Sequence, residues 1–197
     1  FHLPLYQKGL IKKLTNKVEQ RRIWTRAGIP GPAWKTFRDP NETLEEINKM
    51  EFPLIIKPAD SSGSRGVMKL ESKLENIKEA ILNSFQFSKS GEILVESYMA
   101  GTEFTVEIFA TLGVYYLLAI TEKKKVEGAR GTVAVELATP FRAQSILDKL
   151  SDTVIAAFKA LGYTDGPGHA EIILMNDGEV GLVEIAGRGA GFMVFDK

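Results

Sequence analysis

The sequence contains no cysteine, which excludes disulfide bonds, thiolate metal sites and cysteine nucleophiles. It also has no excess charge of either sign, because 25 Lys and Arg residues balance 25 Asp and Glu residues. A chain without net charge has no overall field to attract nucleic acid or an anionic membrane. No apolar run is long enough to span a bilayer, and no signal-peptide pattern is visible. We therefore expect a cytoplasmic protein that binds neither nucleic acid nor membranes.

The composition is that of a globular protein, with 44% hydrophobic and 25% charged residues. The 197 residues suffice for one domain with a sizeable core or for two small lobes. Helical and strand patterns are mixed along the chain, and two hairpin patterns fall in its second half. This order predicts an α+β protein of two lobes that join near residues 99–101.

The ends of the chain predict a piece of a longer polypeptide, because it begins at Phe1 rather than Met and stops soon after a glycine-rich segment. Residues 1–14 have little periodicity, and we expect a tail or linker from a missing preceding domain. We expect residues 15–98 to form a first helix and the first lobe. Residues 99–197 are expected to form the second lobe, incomplete at its C-terminal end.

Two glutamates flank a predicted turn near the C-terminal end. Apolar runs on both sides of Asp177-Gly178 predict a β-hairpin. If these two residues form the loop, the register places Glu171 opposite Glu184. Like charges at a cross-strand pair are destabilising, so we expect a hard divalent cation such as Mg²⁺ between them. The alternative is two glutamates on a solvated strand, which the apolar neighbours of Glu184 disfavour.

A loop rich in serine and glycine follows a predicted strand at residues 54–56. Small residues let backbone N–H groups approach an anion closely, and such loops bind phosphate groups. Lys57 and Arg65 add positive charge at its two ends. The loop is not a Walker A motif, because no Gly-Lys-Ser/Thr follows. Phosphate binding and a simple flexible connection between strands both remain open here.

The segment Glu96-Ser97-Tyr98-Met99 lies at the predicted lobe junction, a common location for ligand clefts. A nucleobase needs an apolar slot and backbone hydrogen bonds, which the end of a strand offers. Glu103 follows closely and is placed to accept hydrogen bonds from ribose hydroxyls. Taken alone, these residues also fit an ordinary strand end.

In their order and spacing, these segments resemble the ATP-grasp superfamily over residues 16–192. The helix that begins at Asn16-Lys17 resembles the family's first helix, whose lysine reaches the nucleotide phosphates, and residues 52–66 resemble its second lysine and flexible phosphate loop. The resemblance implies a two-lobed α+β fold with ATP in a cleft between two subdomains with antiparallel sheets. The implied ATP-binding residues are Lys17, Lys57, Ser62, Gly63, Ser64, Arg65, Gly66, Glu96, Ser97, Tyr98, Met99, Glu103 and Ile173.

The hairpin at residues 168–188 resembles the family's two metal-binding strands and implies Glu171 and Glu184 as Mg²⁺ ligands. Family members commonly carry an asparagine two residues after the second glutamate as a further ligand. This chain has Ala186 there. One Mg²⁺ is therefore expected, and a second is left open.

Two arginines are candidate catalytic residues. Arg188 follows Glu184 by four residues, a position from which it would neutralise a transferred phosphoryl group or an acyl phosphate. Arg130 is a second candidate anion ligand. The alternatives are a structural salt bridge for Arg188 and a solvated loop residue for Arg130.

The resemblance implies an ATP-dependent carbon–nitrogen ligase of the carboxylate–amine ligase and carbamoyl-phosphate-synthase-like branch. ATP would activate a small carboxylate as an acyl phosphate, which an amine co-substrate or similar nucleophile would attack. A small-molecule kinase on the same fold is one alternative, and a non-catalytic ATP-binding domain, suggested by Ala186, is another. A homodimer is left open. We interpret His169 as a packed strand histidine and Lys123 to Lys125 as surface charge.

Overall fold

Two antiparallel sheets, each packed against helices, make up the computed structural model, which describes residues 8–73, 76–125 and 134–190. None of the helices in these ranges is long and apolar enough to cross a membrane. The elements in chain order are α1 (Lys8–Thr15), α2 (Lys17–Arg26), β1 (Trp34–Phe37), α3 (Pro40–Ile47), β2 (Leu54–Pro58), β3 (Met68–Leu70), α4 (Ile77–Phe87), β4 (Ile93–Ser97), β5 (Gly101–Thr111), β6 (Val114–Lys125), β7 (Ala134–Ala138), α5 (Gln144–Leu161), β8 (Gly166–Met175) and β9 (Val180–Ala186).

The first sheet has the strand order β1-β4-β2-β3. Helices α3 and α4 cover it with side chains such as Ile47 and Ile81, both at most 1% exposed. Helix α3 begins where Asp39 accepts hydrogen bonds from two backbone N–H groups of the first turn. The first lobe thus has its own apolar core.

The second sheet has the strand order β7-β6-β5-β8-β9. Phe104, Val106 and Ile108 alternate along β5 and pack with α5 in a single buried cluster. Helix α5 ends at Gly162, whose φ of 76° is the left-handed conformation that glycine adopts at helix ends. The intervening residues of β5 lie on the other face of the sheet, which we call the site face.

Helix α1 is the main difference from the expected fold, because the sequence predicts an aperiodic tail over residues 1–14. Leu10 and Leu14 are four residues apart and therefore lie on one face of the helix. Both pack against the apolar cluster of the second lobe, and Leu14 is only 8% exposed. Burial of this short apolar face explains why the segment is helical.

Candidate functional site

The loop of the β8–β9 hairpin has three residues rather than the two that the sequence predicted. The Met175 N–H donates to the Glu179 carbonyl over 2.7 Å, so residues 176–178 form the loop. Gly178 has a φ of 84°, the left-handed conformation that ends many three-residue loops. The predicted two-residue loop is therefore wrong. If the strand register set by the observed three-residue loop continued unchanged, Val183 would lie opposite Glu171.

A β-bulge at Val183 nevertheless brings Glu184 opposite Glu171, as the sequence predicted. A shift of one residue turns every following side chain to the other face of a sheet. Without the bulge, Glu184 would pair with Ala170, whose side chain is in the core. The Arg21 guanidinium fixes the bulge by donating to the carbonyls of Leu182 and Val183 over 2.9 and 2.8 Å.

Polar side chains on the site face form successive rows across the second sheet. Glu103 of β5 lies opposite Ile173 of β8, and the next row joins Thr105, Glu171 and Glu184. The row after that pairs Glu107 with His169 and continues to Ala186. The sheet thus places the predicted ribose ligand Glu103 and the predicted metal ligands Glu171 and Glu184 in neighbouring rows.

Two lysines contact the facing glutamates. Lys17 Nζ lies 3.1 Å from Glu184 Oε2, and Lys123 Nζ lies 2.5 Å from Glu171 Oε1. Lys123 is also 2.5 Å from Glu103 Oε1. Ammonium groups therefore neutralise the carboxylates at the position where the sequence predicted a cation.

The interpretation of Lys123 as surface charge is wrong, because its side chain is only 10% exposed. Its strand β6 is paired with β5, so Lys123 lies on the site face together with Thr121, which hydrogen bonds to Thr105 over 2.5 Å. Successive side chains of a strand point to opposite faces, so the alternation along β6 could have shown that Lys123 and Lys124 lie on different faces of the sheet.

Burial and neighbouring charged side chains shift the pKa values of His169 and Glu171. Burial favours the neutral imidazole, but the hydrogen bond to Glu107 and the nearby Glu171 carboxylate outweigh it and raise the pKa of His169 to about 9. Burial likewise opposes ionisation of Glu171, but His169 and Lys123 lower its pKa. Glu171 is thus ionised at neutral pH and available as a ligand for a cation.

The donor set fits one Mg²⁺. Glu171 and Glu184 supply carboxylate oxygens, and Mg²⁺ in proteins is commonly held by one or two carboxylates together with substrate phosphates and water. Within the described ranges, no group of three or more acidic, histidine or cysteine side chains is arranged to hold a metal. The remaining ligands would therefore come from phosphate oxygens and water.

Lys57 and Glu96 belong to a buried ionic cluster between α2 and the first sheet. The Glu96 carboxylate receives Arg21 Nε at 2.6 Å and Lys57 Nζ at 2.7 Å. Burial opposes its ionisation, yet these two cations lower the pKa of Glu96 to about 2. Burial also lowers the pKa of Lys57. Arg21 and Lys57 together carry more positive charge than Glu96 neutralises. The remaining positive charge near Lys17 would favour binding of a phosphate group.

The serine- and glycine-rich loop lies next to this cluster. Lys17 Nζ donates to the Ser61 carbonyl over 2.7 Å, so helix α2 and the loop are in contact. Ser62 to Arg65 are exposed, and Arg65 Nε donates to the Ser62 carbonyl. At Gly66 the φ is 73°, and a Cβ would come within 2.8 Å of Pro58. Gly66 is therefore required by the local backbone, whatever it binds.

The predicted adenine-binding segment lies where β4 leads into β5. Ser97 and Tyr98 use their backbone N–H groups to donate to the carbonyls of Ala33 and Pro53. Lys69 Nζ lies 3.7 Å from the centre of the Tyr98 ring. The Met99 side chain lies over Gly181, where a Cβ would be only 2.2 Å from the sulfur.

Ile173 lies next to Gly181 across β8 and β9, on the site face. Met99, Gly181 and Ile173 together form an apolar position beside Glu103, as an adenine slot requires. The Glu96 side chain instead faces Arg21 and Lys57. The Glu96 side chain is therefore not available to a nucleobase.

The structure leaves the two predicted catalytic arginines undecided. Arg188 is exposed and donates from Nη1 to the Gly189 carbonyl over 2.8 Å. Arg130 lies outside the described residues. The sequence reasoning missed Arg21, although its place one helical turn after Lys17 on α2 was a usable signal.

Comparison with known proteins gives consistent similarities. A family model described as an ATP-grasp domain matches residues 50–196. Dapdiamide A synthase of Enterobacter agglomerans is 29% identical over 144 residues, which cover 71% of this chain and 34% of that protein. D-alanine–D-alanine ligase of Pseudomonas fluorescens (strain Pf0-1) is 27% identical over 180 residues, covering 86% of this chain and 52% of that protein.

Solved structures confirm the fold. The L-amino acid ligase from Bacillus licheniformis superposes with a TM-score of 0.80 at 24% identity, over 96% of this chain and 44% of that chain. The chain spans about a third to a half of the length of the two curated relatives described above. The two-lobed α+β architecture and the family model agree, and the chain belongs to the ATP-grasp family.

Proposed function

We propose that this chain is the nucleotide-binding part of an ATP- and Mg²⁺-dependent carbon–nitrogen ligase. Its carboxylate substrate would become an acyl phosphate, which an amine or similar nucleophile then attacks. The observation that carries the proposal is the bulged hairpin that sets Glu171 opposite Glu184, next to the lysines of both lobes. The relatives described above, a synthase and a ligase, support the reaction class.

Each end of the site has a proposed role. Met99 and Ile173 would hold the adenine ring, the backbone carbonyls of Ser97 and Tyr98 would position it, and Glu103 would accept hydrogen bonds from the ribose. Lys17 and Lys57 would face the phosphates. Their charges and fixed positions would supply much of the catalysis.

The phosphate loop and the metal ligands complete the site. Residues 62–66 would close over the phosphates through their backbone N–H groups. Glu171 and Glu184 would hold Mg²⁺, which neutralises phosphate oxygens during transfer when it is bound. Arg188 and Arg130 remain candidates for stabilising the acyl phosphate.

The decisive experiment measures Mg²⁺-dependent ADP release from ATP while panels of carboxylates and amines are supplied. We expect ADP release to require one compound of each class and to be lost in Glu171→Ala. Glu122→Gln is the matched control, because Glu122 lies on the neighbouring strand and pairs with Arg142 at 3.0 Å. Release that persists unchanged in Glu171→Ala would refute the proposal.

The same assay separates the alternatives. A stable phosphorylated product in a single turnover, with no need for an amine, would identify a kinase. ATP binding without any turnover would identify a non-catalytic domain, which the alanine at position 186 motivates. The cytoplasmic location and the homodimer stay predictions.

A further inference from the structure

We propose that Glu107 and His169 form a positioning pair, which turns the Glu171 carboxylate toward the metal. The inference rests on the proposed function, because it assumes that Glu171 binds Mg²⁺. Neither member of the pair was among the site residues expected from the sequence. His169 was interpreted there as a packed strand histidine.

The pair is defined by the strand register. Glu107 on β5 and His169 on β8 are direct cross-strand neighbours on the site face. His169 Nδ1 lies 2.5 Å from Glu107 Oε1, and the Glu107 side chain is 0% exposed. A carboxylate accepts hydrogen bonds, so the Nδ1–H group donates. This contact fixes the rotation of the imidazole ring, and water does not compete for it.

The fixed ring presents its other nitrogen to the metal ligand. His169 Nε2 lies 3.8 Å from Glu171 Oε1, the same oxygen that Lys123 Nζ contacts at 2.5 Å. In the described part of the chain, the side-chain hydrogen bond found for Glu171 involves this Oε1 atom. Nitrogen atoms of two side chains thus approach the same oxygen of the Glu171 carboxylate. Residues that contact and orient a metal-binding side chain in this way commonly change the metal affinity of the site.

The energetic cost of the pair supports a role beyond folding. Glu107 Oε2 is buried without a hydrogen-bond partner in the described part of the chain, and such groups are destabilising. Apolar residues at both positions would remove this cost and commonly give an equal or more stable protein. A buried carboxylate and histidine one row from the metal ligands are therefore better explained by their effect on Glu171.

The test measures Mn²⁺ binding to the full chain with ATP present, by electron paramagnetic resonance of free Mn²⁺. His169→Leu and Glu107→Leu should each raise the Mn²⁺ dissociation constant about tenfold. His169→Gln keeps an N–H donor, and Glu107→Gln keeps a carbonyl acceptor, so both should recover most of the affinity. ATP binding without metal should not change in any of the four. The double leucine variant should bind Mn²⁺ as the single variants do, because the two residues act as a unit.

Glu92→Gln is the matched control, since Glu92 is a buried carboxylate of the first lobe, 5% exposed, beside Arg22 and Arg38. It should leave Mn²⁺ affinity unchanged. Wild-type affinity in His169→Leu, together with loss of affinity in Glu171→Ala, would overturn the positioning pair but keep the proposed function. Wild-type affinity in Glu171→Ala would instead overturn the proposed function.

If the leucine variants do not fold, Glu107→Asp carries the test. It keeps the charge but withdraws the carboxylate by one methylene from His169. Weaker Mn²⁺ binding by Glu107→Asp, with unchanged thermal stability, would support the positioning pair. Unchanged Mn²⁺ binding would overturn it.

Discussion

At the scale of single residues, Lys123 joins two carboxylates that would otherwise repel each other. Its Nζ lies 2.5 Å from both Glu103 and Glu171, and its side chain is largely buried. The same carboxylates are the predicted ribose and metal ligands. Lys123 therefore compensates their charge in the absence of a bound cation, and a metal would compete with it for Glu171.

Lys123→Met tests this competition. Without divalent cations, the variant should be less stable by roughly 3 kcal/mol, because removing one partner leaves buried charges uncompensated. Mg²⁺ with ATP should stabilise the variant more than the wild type. Urea unfolding with EDTA and then with Mg²⁺·ATP measures both effects. The control is Lys124→Met, which changes an exposed neighbour on the other face. Equal Mg²⁺·ATP stabilisation of variant and wild type would contradict the competition.

Glu96 gives a prediction for pH. Its pKa in the folded protein is about 2, against 4.5 for an ordinary glutamate, because Arg21 and Lys57 favour the charged form. A lowered pKa means that its contribution to stability is complete above pH 4.5 and is lost as the pH falls through 2. That contribution is roughly 3 kcal/mol.

In the wild type, acid unfolding between pH 4.5 and 2 should therefore have a steep slope that Glu96→Gln reduces. The variant should also be less stable at neutral pH, since two buried cations lose their partner. Urea unfolding at several pH values measures this. Glu179→Gln, at an exposed ion pair, should change the free energy of unfolding by less than about 1 kcal/mol. An unchanged slope in Glu96→Gln would contradict the assignment.

At the scale of elements, the β8–β9 hairpin combines two irregularities that together restore the register of its glutamates. The three-residue loop shifts the strands by one residue, and the bulge at Val183 shifts them back. Arg21 of α2 binds both carbonyls of the bulge. Helix α2 therefore holds the bulge that orients Glu184, the proposed metal ligand on β9.

Gly178→Ala tests the loop. The φ of 84° is unfavourable for alanine, and nothing lies within 4 Å of the added Cβ, so the effect is purely conformational. We expect a loss of about 1 kcal/mol in the free energy of unfolding. Gly9→Ala in α1 is the control, since its Cβ also meets nothing and an alanine there favours the helix. A neutral Gly178→Ala would contradict the loop conformation.

At the scale of the whole molecule, helix α2 contacts both lobes. Lys17 donates to the Ser61 carbonyl of the first lobe, and Gln20 Nε2 donates to the Ile185 carbonyl of β9 over 2.8 Å. The Leu182 N–H donates to the Pro30 carbonyl just beyond the helix. A nucleotide between the lobes would add contacts to both and stabilise their arrangement.

Mg²⁺·ATP at 100 times its dissociation constant should stabilise the folded chain by about 2.7 kcal/mol. For a chain of 197 residues, this corresponds to a rise of about 5–10 °C in the midpoint of thermal unfolding. ATP with EDTA should give a smaller rise. Glu184→Gln should remove the difference between the two conditions, while Glu122→Gln should keep it. An equal rise with and without Mg²⁺ would contradict the metal site.

Much of this architecture is predictable from the sequence. The spacing of apolar residues predicts helix α5, and the apolar runs on both sides of the turn predict the β8–β9 hairpin. Both elements depend mainly on residues close together in the sequence. Helix α1 was missed because its apolar face is short and depends on packing against the second lobe. Lys123 was missed because its surroundings come from a strand pairing distant in sequence.

By itself, the sequence determined the two-lobed α+β class and the β8–β9 hairpin that carries Glu171 and Glu184, because residue type and periodicity depend on neighbours along the chain. Only the tertiary structure decided how they come to face each other. The bulge, the Arg21 contacts that hold it and the buried Glu107–His169 pair join segments up to 162 residues apart. Contacts of that kind depend on strand register and burial, which local patterns do not specify.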